Sequence, residues 1–306
     1  MGGVGVGSSV KSLRLWIARL LNCESGQHSL ARNPTQMKGN LQMSVVAFDD
    51  DLMDFSIACL KDGPGDERGI TGFFWLGGFM SDMTGSKGEA LAALARSQRR
   101  TCLRFDYSGH GQSAGLFTDG TISHWLEQAT HMFLRHTKNK RIIVGSSMGG
   151  WLALLLARRL AKEDPYAASR IGGLVLIAPA TDMTSELIWP RMTNEDRHTL
   201  VREGQWQQPS DYGTPYPITL ALIEDGTRHS LLGETLSFPF PVRILQGTED
   251  QDVPVAHAMK TMDLIKADIS LTLIKNGDHR LSTQPQLRIM QETVLGLARR
   301  ADGDEI

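Results

Sequence analysis

Cysteine is scarce in this chain. Cys23, Cys59 and Cys102 are the only thiols among 306 residues, and no C-x-x-C pair occurs. An odd count without paired spacing argues against a disulfide framework and against a redox dithiol. Cys59 and Cys102 sit in strand-like runs, so buried free thiols in a reducing compartment are expected. Neither sign of charge is in surplus. Lys and Arg number 32 against 34 Asp and Glu, a formal charge of −2, which leaves no basic footprint for nucleic acid. No apolar run approaches the length of a membrane span, and no repeat or low-complexity tract stands out. Along the chain no His, Cys or Asp cluster has metal-ligand spacing. Two nucleotide motifs are approached and missed. Thr84-Gly85-Ser86-Lys87 lacks the Gly-Lys-Ser/Thr of a phosphate loop. Gly109-His110-Gly111 is followed by Gly115 and Gly120, which interrupt the helix a dinucleotide fingerprint needs, and no acid stands at the right distance.

The first 43 residues differ from the rest. They hold Lys11, Arg14, Arg19, Arg32 and Lys38 against the single acid Glu24, with Val10, Leu13, Ile17, Leu20 and Leu21 at helical spacing. No apolar core follows the charges, so this is not a secretory signal. A basic, acid-poor, amphipathic leader fits an organellar presequence, a disordered tail or a misassigned start equally in kind. The myristoylation pattern fails, because Val6 stands where Ser or Thr is required.

From about residue 44 the chain alternates strands and helices. "SVVAF" and "DFSIACL" read as an opening antiparallel pair. "ITGFFWL" (70–76) is apolar almost throughout, as expected of a strand buried on both faces. Helix 87–98, strand 101–106, helix 121–136, strand 141–145, helix 149–162 and strand 171–179 follow. Strand 241–247, helix 257–267, strand 270–276 and helix 285–300 close the domain, with 301–306 as a tail. Such alternation predicts an α/β fold: a mostly parallel sheet with helices on both faces. Residues 182–238 break the rhythm. They lack strand runs and carry Trp189, Trp206, Tyr212 and Tyr216 among polar residues. An insertion of that size is more than a loop, and we expect a helical cap over the strand ends, where ligands of open α/β sheets bind.

"RIIVGSSMGGWLALLLARRLA" holds the most informative local pattern. Gly145-Ser146-Ser147-Met148-Gly149 fits G-x-S-x-G between a predicted strand and a predicted helix, the setting of a nucleophile elbow. Small residues two before and two after Ser147 let strand and helix approach. The hydroxyl then stands clear, and the Met148 N–H faces an oxygen that becomes negative. A serine of this kind needs a base and an orienting acid, in the chain order Ser, Asp or Glu, His. "ILQGTEDQDVP" supplies Asp250, favoured over Glu249 and Asp252, and "IKNGDHRLS" supplies His279 after the last strand. Asp182 is a second candidate acid and His110 a rival base, while His257 on a helix is expected to be structural. Gly77 and Gly78 should leave Phe79 with an exposed N–H as the second oxyanion donor.

With "LGGFMSDMTGSK", "LRFDYSGHGQS", "VGSSMGGWL", "GQWQQPSDYG" and "GDHRLS", residues 44–300 resemble the α/β hydrolases. The branch they are most similar to holds bacterial serine hydrolases and a mitochondrial abhydrolase-domain acyl-protein thioesterase, also described as an acyl-glucuronide esterase. The resemblance implies a serine hydrolase of esters or thioesters, palmitoyl-protein thioesterase-like. Its expected triad is Ser147, Asp250 and His279, its expected oxyanion donors are Phe79 and Met148, and it needs no metal or organic cofactor. It implies a small-molecule or acylated-protein substrate. The bacterial style of the motifs suggests the cytoplasm, with a mitochondrial location the alternative if residues 1–43 are a presequence. A ligand-binding protein without turnover and a perhydrolase are the competing functions. A dehalogenase is disfavoured, because its elbow would carry Asp.

Overall fold

The computed structural model describes residues 46–52, 55–64, 69–209 and 215–304. The leader lies outside them, and with it Cys23. Eight strands form one sheet in the order β1 (Val46–Leu52), β2 (Phe55–Asp62), β4 (Cys102–Phe105), β3 (Gly72–Leu76), β5 (Arg141–Ser146), β6 (Ile171–Ile177), β10 (Val242–Gly247) and β12 (Ile269–Ile274). β1 pairs with β2, and β2 with β4, antiparallel. Every later neighbour pair is parallel. The chain steps from β3 outward to β4, then returns to the other side of β3 for β5. That reversal makes a topological switch point above β3 and β5, where an open α/β sheet has its crevice.

β3 is buried along its whole length, and its side chains alternate between the two faces. Phe73 and Trp75 pack with Leu91 and Leu94 of α1 (Ser86–Ser97) and with Met290 and Val294 of the C-terminal helix Gln284–Asp302. Phe74 and Leu76 face Trp125 and Phe133 of α2 (Ile122–His136) and Trp151 of α3 (Met148–Glu163). The last helix runs to Asp302, past the expected end at residue 300, because Asp302 accepts from Thr71 N–H (2.8 Å) and pairs with Arg100 (2.7 Å). Cys59 and Cys102 are buried and free. Burial pushes their thiols up to about 11 and about 12, so both stay protonated.

Two expectations need correction. The segment between β6 and β10 is not purely helical. After a π-helical turn at Met183–Ile188 and the helix α4 (Asn194–Glu203), β7 (Gln205–Gln208) and β8 (Tyr216–Thr219) form an antiparallel hairpin, followed by α5 (Leu220–Arg228). β7 reads Gln-Trp-Gln-Gln, so its polar residues hid an alternation that pairs Trp206 with Ile218. The helix expected over 257–267 runs instead from Val255 to Asp263 (α6), because Ile265–Lys266 (β11) leaves it to pair in parallel with Leu236–Ser237 (β9).

Candidate active site

Ser147 sits between β5 and α3 at φ 54° and ψ −118°, a backbone conformation that an L residue adopts only under strain. The glycines around it make the bend possible. A Cβ on Gly145 would lie 2.2 Å from the Gly149 carbonyl oxygen, and one on Gly149 would lie 2.1 Å from that of Leu76. The bend is held by Ser147 N–H donating to Ile177 O (2.9 Å) and by Ser147 O accepting from Gly150 N–H (2.9 Å) and Ala180 N–H (3.1 Å).

The Ser147 hydroxyl lies 3.0 Å from His279 Nε2, and His279 Nδ1 lies 2.9 Å from Asp250 Oδ2. These three side chains come from loops after β5, β10 and β12. The Asp250 carboxylate is fully buried, and three further bonds aim it. Oδ1 accepts from the N–H groups of Asp252 (2.9 Å) and Val253 (2.8 Å), and Oδ2 accepts from Gln246 Nε2 (3.0 Å). Gln246 was not anticipated, because one polar residue near the end of an apolar strand gives no local signal of its role. With one carboxylate oxygen turned to the imidazole, Nδ1 carries the proton and Nε2 faces the serine as an acceptor.

The loop after β3 passes close by. A Cβ on Gly78 would lie 3.3 Å from Ser146 O and 3.4 Å from Ser147 Cβ, so this backbone runs in close contact with the serine. Gly78 O accepts from Ser81 N–H (3.2 Å) and Ser81 Oγ (2.7 Å), which turns the carbonyl inward and the trans-related N–H of Phe79 the opposite way. Met148 is the first residue of α3, so its N–H has no partner within the helix. Met83, farther along the loop, is clamped on both sides. Its N–H donates to Asp106 Oδ1 (2.6 Å), and its carbonyl accepts from the buried Arg104 (2.7 Å). Burial holds the Asp106 carboxyl above the usual range.

The rival residues are occupied elsewhere. Asp182 accepts from Ser230 Oγ (2.7 Å) and from the N–H groups of Leu231 (2.8 Å) and Leu232 (2.9 Å), tying the end of the cap to the loop after β6. His110 bonds to Ser108 and Met80, not to Ser147. His257 is buried on α6, and burial lowers its pKa.

A cleft of 570 Å³ opens over Ser147 and His279, within the range of small-molecule sites. Its apolar lining is drawn from several elements. Met80 and Tyr216 border it, joined by Met183, Leu187 and Ile188 from the π-helical turn. Trp189, Trp206 and Met83 do not. Trp189 lies under the Arg197 guanidinium (5.0 Å), Trp206 packs on the core, and Met83 is buried. Tyr212 lies outside the described residues. Lys87, from the segment that fell short of a phosphate loop, also reaches the cleft. It donates to the Arg280 carbonyl beside His279, and burial pushes its ammonium down to about 8.

Two groups invisible to chain spacing assemble in space. Among the described residues, Asp250, Asp252 and His279, and separately Asp49, His131 and His136, bring ligand atoms within 4.8 Å of one another. The first contains the His279–Asp250 pair just described. In the second, Asp49 Oδ2 takes both imidazoles (3.0 and 2.5 Å), with Arg135 at 3.6 Å, and pins β1 to α2.

Residues 69–291 match the family model described as the alpha/beta hydrolase family. The chain belongs to that family. It is similar to palmitoyl-protein thioesterase ABHD10, mitochondrial, of Homo sapiens, at 29% identity over 226 residues, covering 73% of this chain and 71% of that protein. A putative hydrolase from Agrobacterium vitis S4 superposes with a TM-score of 0.78 at 40% identity, covering 83% of this chain and 98% of that one. Alpha/beta hydrolase domain-containing protein 10 from mouse gives 0.72 at 26%, covering 84% and 99%. This α/β hydrolase therefore shares its fold with enzymes, and its curated relatives include named thioesterases.

Proposed function

We propose that this α/β hydrolase is a serine hydrolase of carboxylic esters or thioesters that works through an acyl-enzyme on Ser147. The observation that carries the reading is the unbroken line from the strained Ser147 through His279 to the buried Asp250. Ser147 Oγ attacks the acyl carbon as His279 Nε2 takes its proton, and the carbonyl oxygen becomes an oxyanion held by the N–H groups of Phe79 and Met148. The tetrahedral intermediate collapses and the bond to the alkoxide or thiolate breaks. The His279 proton passes to that leaving group. Water then attacks the acyl-enzyme while His279 accepts its proton. The acid departs and Ser147 regains its hydrogen. Asp250 keeps the imidazole in the required tautomer and stabilises the imidazolium throughout.

The thioesterase names of the relatives support thioesters among the substrates, and the apolar wall at Met183, Leu187 and Ile188 suits an aliphatic acyl group. The cytoplasm is the proposed compartment. The relatives' names support the mitochondrial alternative, and N-terminal sequencing of the mature protein separates the two. No helix among the described residues is long and apolar enough to cross a membrane. The test is hydrolysis of matched oxyester and thioester series by wild type, Ser147→Ala and Ser146→Ala. Ser147→Ala should lose several orders of magnitude in kcat, since members of such a relay act as a unit, and Ser146→Ala should keep most of it. The reverse pattern would move the nucleophile. Tight binding of the esters without turnover by wild type would favour a ligand-binding protein.

A further inference from the structure

The turn that carries Phe79 contains a strained residue. Gly78 O accepts from Ser81 N–H, which closes the turn, and Met80 in its third position has φ 58°. A type II turn demands a positive φ there, and glycine usually supplies it. With a methionine, the turn would relax by rotating its central peptide, made of the Phe79 carbonyl and the Met80 N–H. One contact opposes that rotation: the Met80 N–H donates to His110 Nε2 (3.3 Å).

The imidazole is itself fixed as an acceptor. Nδ1 lies 3.2 Å from Ser108 O and can only donate to it, which leaves Nε2 with its lone pair. Ser108 is held in turn. Its N–H donates to Gln128 Oε1 (2.9 Å), its Oγ accepts from Gln128 Nε2 (2.8 Å), and its carbonyl also accepts from Trp125 Nε1 (3.3 Å). The His110 ring meets Tyr107, Phe117 and Trp125 at steep angles, and the residue is 4% exposed. Burial pushes it down to about 4, so it is neutral near pH 7. The Phe79 ring packs on the same aromatics, Phe117 and Trp125, and on Tyr216 of the cap.

We propose that His110 is a positioning residue for acyl transfer: as a neutral acceptor it locks the Phe79–Met80 peptide and so holds the conformation of the turn whose preceding peptide, Gly78–Phe79, offers the Phe79 N–H to the oxyanion. The inference rests on the serine-hydrolase reading. It goes beyond it by giving a role to a histidine that neither bonds to Ser147 nor lines the cleft. The lock acts on the transition state, so its loss should lower kcat and spare KM.

The test compares His110→Leu, which fills much of the ring's volume without an acceptor, with His110→Gln, whose side-chain carbonyl can take the Met80 N–H. Removing a whole oxyanion donor costs roughly 10²–10³ in kcat, and a loosened donor should cost less. His110→Leu should lose about ten- to hundredfold in kcat with KM within about threefold, and His110→Gln should recover to within about threefold of wild type. Hydrogen exchange of the Met80 amide should be slow in wild type and His110→Gln and fast in His110→Leu. A kcat for His110→Leu within twofold of an active wild type overturns the proposal, as does an equal loss in both variants. If His110→Leu does not fold, a wild-type Met80 amide that exchanges freely overturns it, and a protected one in wild type and His110→Gln supports it. Absence of turnover by wild type instead sinks the hydrolase reading, and the inference with it.

Discussion

Two aspartates follow late strands in the order that the chemistry requires, and their partners separate them. Asp250 turns one oxygen to His279 and is aimed by Asp252, Val253 and Gln246. Asp182 spends its oxygens on the backbone of Leu231 and Leu232 and on Ser230. Asp250→Asn should therefore cost roughly 10³–10⁴ in kcat, because the imidazole loses the partner that sets its tautomer. Asp182→Ala should keep kcat within about tenfold and instead lower stability by about 1–3 kcal/mol, the cost of leaving buried donors unpaired. Urea titrations and steady-state kinetics on both variants check this. An active Asp250→Asn beside a dead Asp182→Ala would exchange the two roles. His110 carries a pH signature of its own. Its folded pKa is about 4 against an ordinary 6.5, so below pH 6.5 the unfolded chain takes a proton that the folded one refuses. Its contribution to stability should fall as pH drops from 6.5 to 4 and level off below that. The stability difference between wild type and His110→Gln should shrink over that window, and a difference independent of pH would contradict the neutral, buried imidazole. The meeting of Ser147, Asp250 and His279 was legible in the sequence because each follows a strand with turn residues beside it. The bond from Met80 to His110 was not, since it joins loops 30 residues apart that meet only when the sheet forms.

The strands and helices of the main sheet were legible for a similar reason: β3, β5 and β6 are apolar runs, and their helices carry an apolar stripe. The cap was not. β7 and β8 are paired by backbone bonds with few apolar residues between them, and β9 and β11 are two residues each, too short for any period. The cap's aromatics proved ambiguous in the same way, since a tryptophan buries its area in a cap's own core as readily as in a cleft. The apolar wall of the cleft comes instead from the π-helical turn Met183–Ile188. Each methylene buried there contributes about 0.8 kcal/mol, so kcat/KM should rise about fourfold per carbon from acetyl upward until the wall is covered. Leu187→Ala should flatten that rise while leaving acetyl esters nearly unaffected. A flat wild-type profile, or one peaking at acetyl, would remove the apolar wall from the account and leave Ser147 untouched.

All the loops that matter leave the sheet at the same edge. β3, β5, β6, β10 and β12 are parallel neighbours, so their C-terminal ends lie side by side and lead into the loops that carry Phe79, Ser147, Asp182, Asp250 and His279. The family match spans 69–291 and the sheet begins at Val46, so a chain starting at residue 44 should fold, unfold at the wild-type midpoint and keep its kcat. A truncated chain that aggregates or loses activity would give the basic leader a structural part. The claim on which the rest depends is that this edge activates one hydroxyl. Peptide mapping after reaction with a fluorophosphonate tests it most directly. The account predicts one adduct, on Ser147, which is absent from Ser147→Ala and forms far more slowly in His279→Ala. An adduct on Ser146 or elsewhere, or labelling as fast without His279 as with it, would contradict it.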